Sequence, residues 1–255
     1  MQIGIPFEGH ARQSKLMHAQ VMTDENVYLD LWLQIIRQKI SNQARALSIM
    51  GMESAEKVSK YLDSISTSNV DIVEALAAKE YFSYYHEELN RRGDDPINSR
   101  LNYGYAVVRS TIARSLVSAG FHPTFGIHHD SQLNAFNLAD DLIEPYRAIV
   151  DIVSHENIGS NVQLSKNERK SIAHVIHNAC IIDKAKINVM SAIDIMVERY
   201  AKNGVSFNCA SSSAARVPTV SLTIDFLIPF ILFHLHINYS TSIRQYNFYP
   251  GNLYR

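Results

Sequence analysis

Apolar residues recur at spacings of three and four along most of the first 203 positions. That is the period of a helix with one face turned to a core. Between residues 24 and 48, Leu29, Trp32, Ile36, Ile40 and Ala44 share one stripe. Ser68-Asn69-Val70-Asp71 has the form of a capping box and opens a predicted helix running to about Leu89. Its small and aromatic face carries Val73, Ala77, Ala78, Tyr81, Phe82 and Tyr85. Gly93-Asp94-Asp95-Pro96 is a break, with Pro96 placed to start a short helix. Further helices are predicted over roughly 104–118, ending at Gly120, and over about 138–155. Another opens at the capping box Ser165-Lys166-Asn167-Glu168 and runs to about 178, and a last one covers roughly 188–202. Extended structure is predicted only for the first few residues, 205–209 and 219–237. The fold class is mainly α.

Composition agrees with this pattern. The 255 residues include 10 glycines and 7 prolines, both below the usual ~7% and ~5%. Sandwiches, barrels and doubly wound dinucleotide folds need glycine for turns and phosphate loops. Cys180 and Cys209 are too few for a disulfide framework, so a reducing cytoplasm is the expected compartment. Met1-Gln2-Ile3-Gly4 runs at once into Pro6 and lacks the pattern of a signal peptide. A net charge of −1 excludes a nucleic-acid binder that works by bulk basicity.

Composition also divides the chain. Residues 204–255 hold four charged residues, Arg216, Asp225, Arg244 and Arg255, with no lysine or glutamate. The apolar segment from Phe226 to Ile237 contains Pro229 and two histidines, too short and too interrupted to span a membrane. Two readings stand for this tail: a β or irregular element packed on the core, or a sequence foreign to the rest, as a shifted reading frame produces.

Three carboxylates sit where a core or a helix start is predicted. Glu74 shares the buried stripe of its helix, one turn before Ala78. A buried carboxylate needs a cation, a hydrogen-bond donor or a metal, and a salt-bridged or snorkelling glutamate is the simpler account. Asp141 and Glu144 are three apart and so project to one side of a helix. They follow the histidine pair of Gly126-Ile127-His128-His129-Asp130, and Pro145 marks a kink just after them. A solvated acidic face near a helix start is one reading. Two carboxylates and an imidazole around Mg²⁺ or Mn²⁺ is the other.

Four ordered runs resemble the CRISPR-associated integrase of the spacer-acquisition complex, the Cas1 family, in its type II form. They are Pro6-Phe7-Glu8-Gly9-His10-Ala11-Arg12-Gln13-Ser14; Leu31-Trp32 continuing through Ile35-Ile36-Arg37-Gln38-Lys39-Ile40-Ser41-Asn42-Gln43-Ala44; Glu74-Ala75 with Ala77-Ala78-Lys79 and Tyr81-Phe82; and the stretch from Leu101-Asn102-Tyr103-Gly104-Tyr105-Ala106 to Arg147. Together they span about residues 5–203. The resemblance implies a helical catalytic domain over 10–203, a junction remnant over 1–9 in place of the family's N-terminal β domain, and an anomalous tail over 204–255. It implies that Glu74, His129 and Glu144 are catalytic metal ligands for Mg²⁺ or Mn²⁺, with Asp141 a possible additional ligand. His129 is favoured over His128 because it stands three residues after Gly126.

The implied activity is that of a metal-dependent DNA endonuclease and integrase. It inserts short foreign DNA fragments (spacers) into a CRISPR array through 3′-hydroxyl attack on a phosphodiester. Alternatively, His129 serves as general acid/base. The implied partners are double-stranded DNA (the spacer fragment and the CRISPR repeat), a second copy of the chain in a homodimer, the small second subunit of the adaptation complex, and the type II effector nuclease. No membrane is implied. Candidate DNA contacts are Arg37, Lys39 and Arg45 on one helix, Arg91 and Arg92 beside the break, and Arg109, each with a solvated helix face as its plainer reading. A rival from another class is a truncated, non-catalytic remnant acting as a DNA-binding or complex-interaction module.

Overall fold

Three helices begin where a short polar side chain satisfies free backbone amides. In the computed structural model, which describes residues 13–52, 54–86, 93–156, 161–182, 185–204 and 220–221, Asp24 caps α2 (Glu25–Ile49) by accepting from Asn26 N at 2.9 Å. Asp95 does the same for α6 (Pro96–Ala119), 2.7 Å from Ile97 N, with Pro96 at the first helical position. The capping box predicted at Ser165 is complete and opens α9 (Lys166–Ala173). Gly120 ends α6 at φ 100°, the left-handed cap that glycine takes without strain. The other helices are α1 (Gln13–Met22), α3 (Ala55–Ser59), α4 (Tyr61–Ser64), α5 (Val70–Tyr85), α7 (Asn137–Leu142), α8 (Arg147–Glu156) and α10 (Val189–Gly204). Short 3₁₀ turns at Glu144–Tyr146 and His174–His177 complete the helical set.

The core is built around α2 and α6. Helix α2 buries Leu31, Trp32, Ile35, Ile36, Ile40, Ala44, Ala46 and Leu47 against α3, α5, α8 and the Glu144–Tyr146 turn. Helix α6 packs on α7, α8, α9 and α10. A small antiparallel sheet of order β2-β1-β3 joins them, with β1 (Ala179–Ile182) between β2 (Ala185–Asn188) and β3 (Val220–Ser221). Cys180 pairs with Ile187, and Ile182 with both Ala185 and Val220. By contact the chain separates into a unit of Met1–Thr223 and a second of Ile224–Arg255. All described residues belong to the first, and nearly all of the predicted tail lies outside them.

The mainly helical expectation holds, with differences in detail. The two helices expected around 96 and 104–118 are one helix, α6. Gly104 weakens a helix by about 1 kcal/mol relative to alanine, but here it is a contact point. A Cβ on it would lie 2.4 Å from Val150 Cγ1 of α8. The expected 138–155 helix is broken at Pro145 into α7, a 3₁₀ turn and α8. Asn69 precedes α5 without a side-chain cap, its Oδ1 accepting from Ser66 N at 2.7 Å instead. Helix α5 ends at Tyr85 rather than near Leu89. Leu29 is 36% exposed and leaves the stripe to Leu31 and Ile35. Helix α1 and strands β1 and β2 fall where no element was expected. Residues 205–209 and the first few residues lie outside the described ones.

Candidate functional site

Glu74 on α5 and Glu144 in the 3₁₀ turn meet across one cation, Lys39 of α2. The Lys39 side chain is only 10% exposed, and its ammonium hydrogen-bonds Glu74 Oε1. It also lies 2.7 Å from Glu144 Oε2. Glu144 Oε2 is buried, and among the described residues the Lys39 ammonium is its one polar partner. The other oxygen, Oε1, accepts from Arg147 Nε at 2.8 Å. Burial alone would raise the Glu144 carboxyl; the charges of Lys39 and Arg147, and their hydrogen bonds, overcome it and hold the group at about 2. Burial likewise opposes the charge on Lys39, and the two carboxylates reverse this and raise its ammonium.

Pro145 explains where Glu144 points. The ring ends the hydrogen-bond ladder of α7, and the chain restarts as α8 at Arg147. Asn42, one turn beyond Lys39's neighbour Gln38 on α2, donates to Pro145 O at 2.8 Å and ties the turn to α2. Arg147 in turn lies over the Tyr105 ring at 4.7 Å, and the Tyr105 hydroxyl donates to buried Asp151. Tyr81 donates to the same carboxylate at 2.8 Å.

Asp141 has a different part from Glu144. It is fully buried, and its carboxylate organises the histidine loop. Oδ2 accepts from Ile127 N at 2.5 Å and His128 N at 3.1 Å; Oδ1 accepts from His129 N at 3.2 Å and contacts His129 Nδ1 at 2.6 Å. The loop can close this tightly only with glycine at 126, where a Cβ would lie 2.1 Å from His129 O and 2.8 Å from Asp141 Oδ2. That is the physical content of the glycine three residues before His129. The hydrogen bond to Asp141 raises the His129 imidazole above its ordinary value; partial burial opposes this, and the charges of Asp141, Glu144 and Asp140 add to it. With Nδ1 engaged, Nε2 is the ring nitrogen left to act. His128 points elsewhere. It stacks on Trp32 at 4.3 Å between centroids, and Trp32 Nε1 donates to Asp71.

Neither Asp141 nor Glu144 forms the solvated acidic face that one reading allowed: they are 0% and 5% exposed. Glu74 is salt-bridged, as the simpler account of it held. Lys39 faces these carboxylates from within the core, so its charge is directed inward and away from a solvent-facing DNA surface. Arg37 is exposed, but its guanidinium donates to Ile65 O and Leu62 O. Arg109 pairs with Asp140 at 2.5 Å and lies over the Phe136 ring. Arg45 is exposed, and Arg91 and Arg92 lie outside the described residues. Among the described residues, no three of His, Cys, Asp and Glu converge closely enough to enclose an ion, and no helix is long and apolar enough to cross a membrane. The sequence reading missed the bridging role of Lys39. The available signal was a lysine three residues after Ile36 and next to Ile40, on the apolar stripe.

Residues 5–179 match the family model described as CRISPR associated protein Cas1. The chain is 33% identical over 201 residues to the CRISPR-associated endonuclease Cas1 of Neisseria meningitidis, covering 77% of this chain and 66% of the relative. It is 30% identical over 167 residues to a Cas1 endonuclease of Francisella tularensis subsp. novicida, covering 53% and 52%. The chain thus spans between about half and two thirds of these relatives. Its fold is similar to that in a partial Cas6-RT-Cas1–Cas2 complex, with TM-score 0.65, 20% identity, and coverage of 83% of this chain and 76% of that one. A casposase bound to integration product is similar at TM-score 0.60 and 20% identity, covering 76% and 68%.

Proposed function

This chain belongs to the CRISPR-associated Cas1 family, and from that premise we propose that it is a metal-dependent DNA endonuclease and integrase of CRISPR adaptation. It would cut or join DNA at a phosphodiester, using the 3′-hydroxyl of a short fragment as nucleophile for insertion into the repeat of a CRISPR array. One observation carries the reading. Glu74 and Glu144, from separate segments, converge on a single cation, and a buried aspartate orients His129, whose imidazole feels the Glu144 charge.

The donor set suits Mg²⁺ or Mn²⁺: carboxylate oxygens from Glu74 and Glu144 and an imidazole nitrogen from His129. Glu144 Oε2, buried and facing only the Lys39 ammonium among the described residues, already holds a cation where such an ion would bind. When bound, the ion would polarise the phosphodiester and offset charge on the departing oxygen. The chain's own residues prepare for this. Arg147 fixes Glu144 through Oε1. Asp141 fixes the His129 ring and makes it a stronger base at Nε2. Asp141 is therefore read as an orienting residue rather than a fourth ligand, because all four of its contacts go to the 127–129 loop. The Nε2 position also suits the alternative use of His129 as a general acid/base.

The similar folds of a Cas1 in complex with Cas2 and of a casposase bound to integration product support DNA and a second subunit as partners, here the double-stranded spacer and repeat and the small subunit of the adaptation complex. A homodimer, the type II form and the effector nuclease remain part of the same proposal. The test is a Mn²⁺-dependent nicking and strand-joining assay on wild type, Glu74→Ala, His129→Ala and Glu144→Ala. Each substitution should abolish activity; activity surviving all three would sink the site assignment.

A further inference from the structure

Lys39 is placed like a resident cation. Its ammonium bridges the two carboxylates proposed as metal ligands, and an ammonium and a divalent ion compete for the same oxygens. The two oxygens of Glu144 divide the work. Oε1 stays with Arg147 in a good hydrogen bond, while Oε2 has only the Lys39 ammonium, 2.7 Å away, among the described residues. Oε2 is therefore the atom that can change partner without releasing the side chain.

A displaced ammonium needs somewhere to go inside a core, because an unpaired buried charge is costly. Gln43 follows Lys39 by four residues, one helical turn along the same face of α2. It is 2% exposed, and its Oε1 is buried with no hydrogen-bond donor among the described residues. A lysine has three donors on a flexible four-carbon stem, which suits a move of one turn between acceptors.

We propose that Lys39 is an exchangeable counter-cation: it holds Glu74 and Glu144 together in the metal-free protein, and on entry of a divalent ion its ammonium leaves for Gln43 Oε1. This rests on the metal-site reading above and adds what regulates the site. The residue is a positioning residue, and it sets the ion's affinity by competing with it. It also offsets the repulsion between the buried Glu144 carboxylate and the half-buried Glu74 carboxylate when no metal is present.

The experiment measures Mn²⁺ binding to the full chain without DNA, from the EPR signal of free Mn²⁺. Thermal melts in EDTA and in saturating Mn²⁺ accompany it. Lys39→Met should bind Mn²⁺ about tenfold or more tightly than wild type, a change of roughly 1.4 kcal/mol or more. Its melting temperature should fall in EDTA and recover with Mn²⁺. Gln43→Leu should weaken Mn²⁺ binding when Lys39 is present and have no effect in the Lys39→Met background, a coupling that a double-mutant cycle isolates. If Lys39→Met does not fold, the loss of affinity in Gln43→Leu still decides the matter. Equal or weaker binding by folded Lys39→Met, or unchanged binding by Gln43→Leu, overturns the exchange. Failure of folded wild type to bind Mn²⁺ at all overturns the metal-site reading itself.

Discussion

Replacing Asp141 by alanine tests the claim that one buried carboxylate builds the histidine loop. The side chain is fully buried and accepts from the amides of Ile127, His128 and His129 and contacts the His129 ring. Hydrogen bonds to a charged group contribute about 1.5–3 kcal/mol each, and a donor left buried and unpaired costs about 1–3 kcal/mol. The Ile127 amide is buried and loses its partner outright. The other two amides are partly buried, so water recovers part of their loss. The expected destabilisation is therefore about 3–5 kcal/mol, near the upper end for a single substitution. For a domain of this size that lowers the melting temperature by about 10 °C. Asp141→Asn should fall between, since its amide can accept on one oxygen only and turns an NH₂ toward amide donors. The assay is urea unfolding followed by far-UV circular dichroism, in EDTA so that metal binding does not contribute. Exposed Asp130 in the same loop is the control, with Asp130→Ala expected within about 0.5 kcal/mol of wild type. A loss below about 1 kcal/mol for Asp141→Ala would refute the reasoning, because the loop would then hold its shape without the carboxylate.

Three further outcomes follow from the same geometry. Gly126→Ala forces a Cβ to within 2.1 Å of His129 O; it should cost about 1–3 kcal/mol and reduce nicking, and wild-type activity with unchanged stability would contradict the close-approach argument. The Glu144 carboxyl is depressed from 4.5 to about 2 in the folded state, so its stabilisation is present above pH 4.5 and lost as pH falls toward 2. Metal-free wild type should lose on the order of 3 kcal/mol more than Glu144→Gln across that window, and parallel urea-unfolding curves for the two proteins would exclude it. Burial pushes the Cys180 thiol up to about 12, leaving little thiolate at pH 8. Peptide mapping after iodoacetamide should find Cys180 unmodified in native protein and labelled in urea; rapid native labelling would show the β1 strand to be open.

Local signals carried much of the fold because capping and periodicity act within a few residues. Asp24, Asp95-Pro96, Gly120 and the Ser165–Glu168 box all mark real helix ends. Pro145 interrupts the helix around it because a missing amide is a local property. Where the reading went astray, a distant partner had intervened. The helix expected from about residue 104 starts at Pro96, and Gly104 lies inside α6, where the close approach of Val150 on α8 leaves no room for a Cβ. The run at 179–188 is too short to declare itself by period. It forms strands β1 and β2 because each satisfies the other's backbone.

The same distinction governs the site. Residue types and near-neighbour spacing were enough to single out Glu74, the Gly126–His129 loop, Asp141 and Glu144, since a carboxylate on an apolar stripe is anomalous wherever the chain later packs. Which partner each carboxylate takes is a property of packing. Glu74 and Lys39 are 35 positions apart, and no local rule links them. Asp141 and Glu144, three residues apart and alike in sequence, separate into an orienting acceptor for four contacts and a cation-bridged acid. Only the placement of α2 against α5 and the Glu144–Tyr146 turn brings Lys39 between Glu74 and Glu144, because a charge taken into a core settles where its opposites can be reached.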